Sequence, residues 1–87
     1  SYSVEELTQM FEGMAKEIGF TISPGAKNAF SDLIYSLKDG YHFGNARTVR
    51  NILEKSKDRH SLNFKKGIVK SRFELDERDI YYEEIRI

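Results

Sequence analysis

The sequence predicts an all-α fold in which four helices form one small domain over residues 1–87. Helix-starting residues recur along the chain, and each is followed by apolar residues at alternating three- and four-residue steps, the spacing of one helix face. The chain also contains no internal repeat and no low-complexity tract, and its 87 residues suffice for one domain but not for two.

The first predicted helix has a start signal and a stop signal. Ser3 and Glu6 fit a capping box, in which each side chain bonds to the other residue's backbone N–H. Gly19 is expected to end the helix. Its predicted core face consists of Val4, Leu7, Phe11, Met14 and Ile18.

The second helix is predicted to start at Ser23 and Pro24, after a short apolar connector over residues 20–22. Asp39-Gly40 should end it, and an aromatic loop over residues 41–43 follows. One interpretation of that loop is that its side chains plug the end of the helical core. The predicted core face of this helix consists of Ala26, Phe30, Leu33, Ile34 and Leu37.

The third helix is predicted from about Asn45 to Phe64. Its inner stripe includes His60, which we interpret as a hydrogen-bonded core histidine rather than a metal ligand. On an outer stripe, Arg50 and Glu54 stand at the four-residue spacing of a helical ion pair. The whole predicted inner stripe is Val49, Ile52, Leu53, Ser56 and His60.

The rest of the chain predicts a short extended segment and a fourth helix. Residues 68–73 alternate weakly between apolar and polar, as a connector or one short strand would. Asp76 can cap a last helix with acids in its first turn. The apolar side of that helix would be Tyr81, Tyr82, Ile85 and Ile87.

The composition limits the class of protein. Charged residues make up 32% and apolar residues 39%, which is typical of a soluble globular domain. Cysteine is absent, so disulfides and thiolate metal sites are excluded, and a reducing compartment is compatible. No apolar run approaches the roughly 20 residues of a membrane helix, and no signal peptide is present. The cytoplasm is the expected location.

The charges are unevenly distributed although their sum is zero. Residues 46–72 contain nine Lys or Arg against two acids, whereas residues 73–87 contain two arginines against six acids, and residues 1–45 are also acidic. Such a basic stripe can face a nucleic acid, the phosphates of a nucleotide or an acidic protein surface, or its own flanks can neutralise it.

The stretch around the start of the third helix indicates an anion site. Gly44 and Asn45 precede the helix, and Arg47 and Arg50 follow within its first turns. Cations there oppose the helix macrodipole by some tenths of a kcal/mol each, and a bound anion would relieve the conflict. A phosphate on a helix N-terminus beside an arginine is a common use of that arrangement.

The run Gly44-Asn45-Ala46-Arg47, continued by Val49-Arg50-Asn51, resembles the second-sensor motif of AAA+ ATPases. The similarity is greatest to the group containing the rubisco activase CbbX, stage V sporulation protein K and the ATPases of type VII secretion, and it covers most of the chain. In that group the motif stands on the third helix of a C-terminal helical lid.

The resemblance implies that Arg47 reaches the γ-phosphate of ATP, with Gly44, Asn45 and Ala46 close to the nucleotide. It also implies an alternative for the aromatic loop over residues 41–43, whose Tyr41 or Phe43 would lie near the base. Residues 1–87 would then be the lid of a longer chain, consistent with the opening at Ser1 without methionine. The large α/β domain that holds ATP and magnesium would lie outside, because no GxxxxGK[ST] loop or acidic strand end occurs here. The implied partners are that domain and the neighbouring subunit of a hexamer, with an unknown protein substrate.

Two other classes of protein remain compatible with the residues. A free-standing helical interaction module would need no ligand. A nucleic-acid-binding module would use the basic third helix for recognition, but the zero net charge and acidic flanks disfavour it.

Overall fold

The computed structural model describes residues 2–37 and 46–83. Within these ranges the chain is mostly helical, with three α-helices, one pair of very short parallel strands and one 3₁₀ turn. The elements in chain order are α1 (Val4–Glu17), β1 (Thr21–Ile22), α2 (Pro24–Leu37), α3 (Ala46–Lys65), β2 (Glu74–Leu75) and the 3₁₀ turn (Glu77–Asp79).

The predicted boundaries of α1 are confirmed by hydrogen bonds. The Ser3 hydroxyl accepts from the Glu6 N–H at 3.0 Å, and the Glu6 carboxylate accepts from the Ser3 N–H at 2.9 Å. Gly19 follows the helix at a φ of +84°, a left-handed conformation that glycine adopts without strain.

The start of α2 is also as predicted. Its Ala26 N–H donates to the Ser23 hydroxyl at 3.0 Å, so Ser23 caps the helix. The predicted stop signal at residues 39–40 and the aromatic loop at 41–43 lie outside the described residues.

The core forms where α1, α2 and α3 meet, and Phe11 and Phe30 are stacked at its centre with ring centroids 4.1 Å apart. Most of the predicted core is confirmed, but Ile18 is 46% exposed, because α1 has ended before it. Leu75 of β2 is an additional buried member. The cluster comprises Leu7, Phe11, Ala15, Ala26, Phe30, Ile34, Val49, Ile52, Leu53 and Leu75.

The strand pair was only partly predicted. The extended segment was expected at residues 68–73, but the strand is Glu74–Leu75, and it pairs in parallel with Thr21–Ile22, which was interpreted as a connector. The Thr21 N–H donates to the Phe73 carbonyl at 2.9 Å. Two-residue strands are too short for an alternating pattern to reveal them.

The prediction of a fourth α-helix is wrong for the described residues. Only the 3₁₀ turn at Glu77–Asp79 forms, and Ile80 is extended with a ψ of 122°. The Tyr81 N–H, which a helix would direct to the carbonyl four residues earlier, instead donates to the Ser56 hydroxyl at 3.0 Å. Packing against α3 has replaced the helical hydrogen bond. Ile85 and Ile87 lie outside the described residues.

Candidate functional site

The predicted ligand-contacting residues lie at the N-terminal end of α3. This helix runs from Ala46 to Lys65, within one residue of the predicted bounds at each end. Ala46 is half-buried and Arg47 is exposed. Gly44 and Asn45 lie outside the described residues, so the loop that would complete the site contributes no geometry here.

In the part of the chain that the structure describes, no carboxylate neutralises the positive charge at the start of α3. Its first turn contains no acidic residue, and no described carboxylate forms an ion pair with Arg47. The exposed N–H groups of a helix start and a nearby guanidinium both attract anions. Among the described residues, the start of α3 therefore contains cations that no carboxylate neutralises.

Burial of the inner face of α3 in the core sets the orientation of the helix, and this orientation leaves Arg47 exposed. Val49 and Ile52 are fully buried against the core, and Leu53 is nearly so. Arg47 and Arg50 are both exposed and stand three residues apart, so they are neighbours on the surface of the helix. Rigid packing beneath the first turns thus positions these two cations.

Arg50 does not have the predicted partner. Among the described residues it forms no ion pair with Glu54, and both side chains instead line a cleft of about 200 Å³ between α1 and α3. The remaining lining residues of this cleft are Met14, Glu17, Ile18, Leu53 and Lys57. Its walls contain both signs of charge, so it indicates no ligand class.

At the other end of α3, His60 forms a buried polar network that the sequence predicted only in part. His60 is 3% exposed, which confirms the interpretation of a hydrogen-bonded core histidine. Its Nδ1 lies 2.7 Å from an oxygen of the fully buried Asp79, and its Nε2 lies 2.9 Å from the Arg72 carbonyl oxygen. A carbonyl oxygen only accepts, so Nε2 is the donor of the bond to Arg72.

Asp79 is satisfied on both of its oxygens. One accepts from the Asn63 amide at 2.8 Å, and the other also accepts from the Asp76 N–H at 2.7 Å. The carboxylate therefore joins α3 to the β2 strand end and the 3₁₀ turn. Sequence reasoning missed this role because it assigns the acid to the first turn of a fourth helix.

Asp76 is held ionised by its neighbour. The Arg78 side chain lies 2.9 Å from a carboxylate oxygen of Asp76, and the Arg78 backbone N–H donates to the same oxygen at 2.8 Å. These bonds lower the pKa of the Asp76 carboxyl, and they raise the pKa of the Arg78 guanidinium. The pair stabilises the 3₁₀ turn that presents Asp79.

Residues 80–83 form a strap along α3. Besides the bond from Tyr81 to Ser56, the Arg59 guanidinium stacks 3.8 Å from the centre of the Tyr81 ring. Glu83 then pairs with Lys55 at 3.3 Å. The strap thus runs back toward the N-terminal end of α3.

The described ranges contain neither a candidate metal site nor a helix that could span a membrane. They contain no group of three His, Asp or Glu side chains that could bind a metal ion. No described helix is long and apolar enough to cross a membrane.

The described residues define a class: a small helical domain in which two short strands pair and arginines are exposed near a helix start. The chain matches the AAA lid domain family over residues 3–84 and belongs to that family. It is also similar to the protein CbxX, chromosomal, of Cupriavidus necator, with 32% identity over 60 residues. These residues are 69% of this chain and 19% of the relative, so the chain spans about a fifth of that protein's length. The predicted resemblance to AAA+ lids is confirmed.

Proposed function

We propose that this domain is the lid of an AAA+ ATPase and that Arg47 senses the γ-phosphate of ATP. The observation that supports this most is the position of Arg47. It is exposed in the first turn of the lid's third helix, and no described carboxylate neutralises it.

The residues present fit a triphosphate. A guanidinium is permanently charged and planar, and it can donate two hydrogen bonds to phosphate oxygens. Ala46 beside it is small, which allows the backbone to approach a nucleotide. The helix start adds further positive potential toward the same ligand. We assign Gly44 and Asn45 to the nucleotide-binding residues as well, on the resemblance alone.

The proposed signal is a movement of the lid as one body. Hydrolysis removes the group that Arg47 contacts, so this contact differs between the ATP and ADP states. Helix α3 shares one core with α1 and α2, and the His60–Asp79 network joins its far end to the β2 region. A displacement of the first turn of α3 therefore moves the whole domain rather than bending it.

The rest of the machine would come from outside residues 1–87. A large AAA+ domain would supply the phosphate loop and bind magnesium, and a neighbouring subunit of a hexameric ring would receive the movement. The length of the CbxX relative, about five times the matched segment, is consistent with such a larger protein. We include in the same proposal that the longer protein containing this domain remodels a protein substrate in the cytoplasm.

The experiment is the rate of ATP hydrolysis by the longer protein with Arg47→Ala. Losing a charged hydrogen bond of about 1.5–3 kcal/mol slows turnover by about 10- to 100-fold. Arg59→Ala is the matched control, because Arg59 stacks on Tyr81 on another part of α3. Turnover by Arg47→Ala equal to that of the control would refute the proposed role and favour a helical interaction domain that binds no ligand.

A further inference from the structure

A second surface lies at the opposite end of α3 from Arg47. A groove of about 410 Å³ opens between the end of this helix and the segment that leads into β2. Arg47 and Phe64 are seventeen residues apart on α3, which is about 25 Å along its axis. The groove is lined by Phe20, His60, Ser61, Phe64, Lys65, Arg72 and Phe73, and we call it the aromatic groove.

The walls of the aromatic groove are aromatic rings that remain accessible. Phe73 is 58% exposed and Phe64 is 38% exposed. Phe20 contacts Phe73 edge-on, with ring centroids 5.9 Å apart. Leu62 and Ile68, nearby in the chain, are also more than 40% exposed. Exposed apolar side chains collected at one place mark interaction surfaces more often than isolated ones do.

The floor of the groove is fixed in place. His60 contacts Phe20 edge-on at 5.5 Å and stacks on Phe64 at 6.2 Å between ring centroids. The same imidazole is bound at both nitrogens, to Asp79 and to the Arg72 carbonyl. The rings therefore sit on a rigid base, and a ligand would not have to order them on binding.

The rim of the groove is positively charged. Lys65 and Arg72 line it, and Lys66 and Lys70 lie in the connecting segment. In the described ranges none of these four cations forms an ion pair with a carboxylate. The Arg72 guanidinium lies 5.5 Å from the centre of the Phe73 ring, so charge and apolar surface are adjacent.

The described chain leaves this surface open. The segment after Asp79 turns away, since Tyr81 packs on Arg59 and Glu83 pairs with Lys55, both nearer the start of α3. Glu83, the acidic residue of this strap, therefore pairs with Lys55 rather than with a cation of the rim.

We propose that the aromatic groove docks an acidic segment of another protein, with one aromatic or long aliphatic side chain inserted between Phe64 and Phe73. Carboxylates on either side of that anchor would pair with Lys65 and Arg72. This complementarity decides the occupant: the apolar walls need an apolar side chain, and the rim cations, which have no ion pair among the described residues, need acids. The assignment is independent of ATP sensing by Arg47.

A single-stranded nucleic acid would also offer rings and negative charge. The distribution of charge in the whole domain disfavours it. The net charge is zero, and α1 contains four glutamates, which would repel a long polyanion. A short acidic peptide needs only the local cations of the rim.

The test is fluorescence anisotropy with a labelled peptide of sequence Asp-Glu-Phe-Glu-Asp and the 87-residue chain, after circular dichroism has verified helical folding. We expect it to bind at least about tenfold more tightly than Asp-Glu-Ala-Glu-Asp or Lys-Lys-Phe-Lys-Lys. Raising salt from about 50 to about 200 mM should weaken it several-fold, because the rim is exposed. A 12-residue oligodeoxythymidine is measured in parallel.

Variants then locate the binding. The double variant Lys65→Glu with Arg72→Glu should raise the dissociation constant of the Phe-containing peptide at least about tenfold. Phe73→Ala should raise it by a similar factor. Lys57→Glu, an exposed cation on the same helix outside the groove, should leave the affinity unchanged. No binding up to about 1 mM, equal binding of the Ala peptide, indifference to the rim variants or tighter binding of the oligonucleotide would each overturn the proposal.

Discussion

The two ends of α3 are built from different chemistry. Near its C-terminal end, His60 and Asn63 form hydrogen bonds to the two carboxylate oxygens of the buried Asp79. At its N-terminal end, Arg47 and Arg50 are exposed cations without an ion pair to any described carboxylate. The polar groups of the first end have partners within the domain, whereas these two cations have no carboxylate partner among the described residues.

The difference separates stability from function along one helix. A buried, fully bonded polar group contributes to folding because removing a partner leaves an unsatisfied charge. An exposed cation contributes little to folding and is available for binding. Substitutions at the two ends should therefore affect different measurements, and the following predictions test this from the largest effect to the smallest.

Asp79→Ala should have the largest effect on the fold. It removes the hydrogen-bond partner of His60, Asn63 and the Asp76 N–H, and it leaves Nδ1 of the buried imidazole without a partner. We expect the free energy of unfolding to fall by about 3–5 kcal/mol in urea denaturation. Asp58→Ala, at an exposed position of α3, is the control, and a loss below about 1 kcal/mol for Asp79→Ala would show that the network is dispensable.

Ser56→Ala should have an intermediate effect. The fully buried Ser56 hydroxyl accepts the Tyr81 N–H at 3.0 Å, so its removal leaves that donor unpaired at the start of the strap. The expected loss is about 1–3 kcal/mol of unfolding free energy. Ser61→Ala, exposed on the same helix, should change the value by less than about 0.5 kcal/mol. Equal losses would mean that the strap is not anchored there.

Asp76→Asn should show a dependence on pH. Because the pKa of Asp76 is lowered from its ordinary value of 3.8, its ionised form stabilises the fold above that value. The contribution is lost as pH falls through the folded-state pKa. Wild type should thus exceed Asp76→Asn in thermal stability at neutral pH, and the gap should close in acid below 3.8. A gap that widened in acid would contradict the assignment, and Glu77→Gln is the control.

Arg47→Ala should have the smallest effect on the fold. The residue is exposed and has no ion pair with a described carboxylate, so we expect the unfolding free energy to stay within about 0.5 kcal/mol of wild type. Urea denaturation beside Asp79→Ala measures this contrast directly. A loss comparable to that of Asp79→Ala would remove the distinction between the two ends of α3.

The sequence predicted the helical part of this fold well, because capping and periodicity are local. The cap at Ser3, the stop at Gly19 and the inner stripe of α3 through His60 each depend on residues within a few positions of one another. The fourth helix failed for a nonlocal reason. Asp76 and Asp79 fit a helix start, but Ser56, twenty-five residues away, binds the Tyr81 N–H.

The candidate site was predictable only as a motif. The order of Gly44, Asn45, Ala46 and Arg47 indicates a family, and that family is confirmed by the match over residues 3–84. The contact of Arg47 with phosphate stays a prediction, because it depends on a nucleotide and another domain. The aromatic groove was not predictable, since Phe20, Phe64 and Phe73 come from three separate segments that only the folded chain brings together.

The central claim is that Arg47 distinguishes ATP from ADP, and the most direct measurement is the ratio of their dissociation constants in the longer protein. A contact to the γ-phosphate alone adds to ATP affinity and not to ADP affinity. In Arg47→Ala we therefore expect ATP to bind about 10- to 100-fold more weakly while ADP is nearly unchanged. An equal loss for both nucleotides, or no loss for either, would contradict the claim.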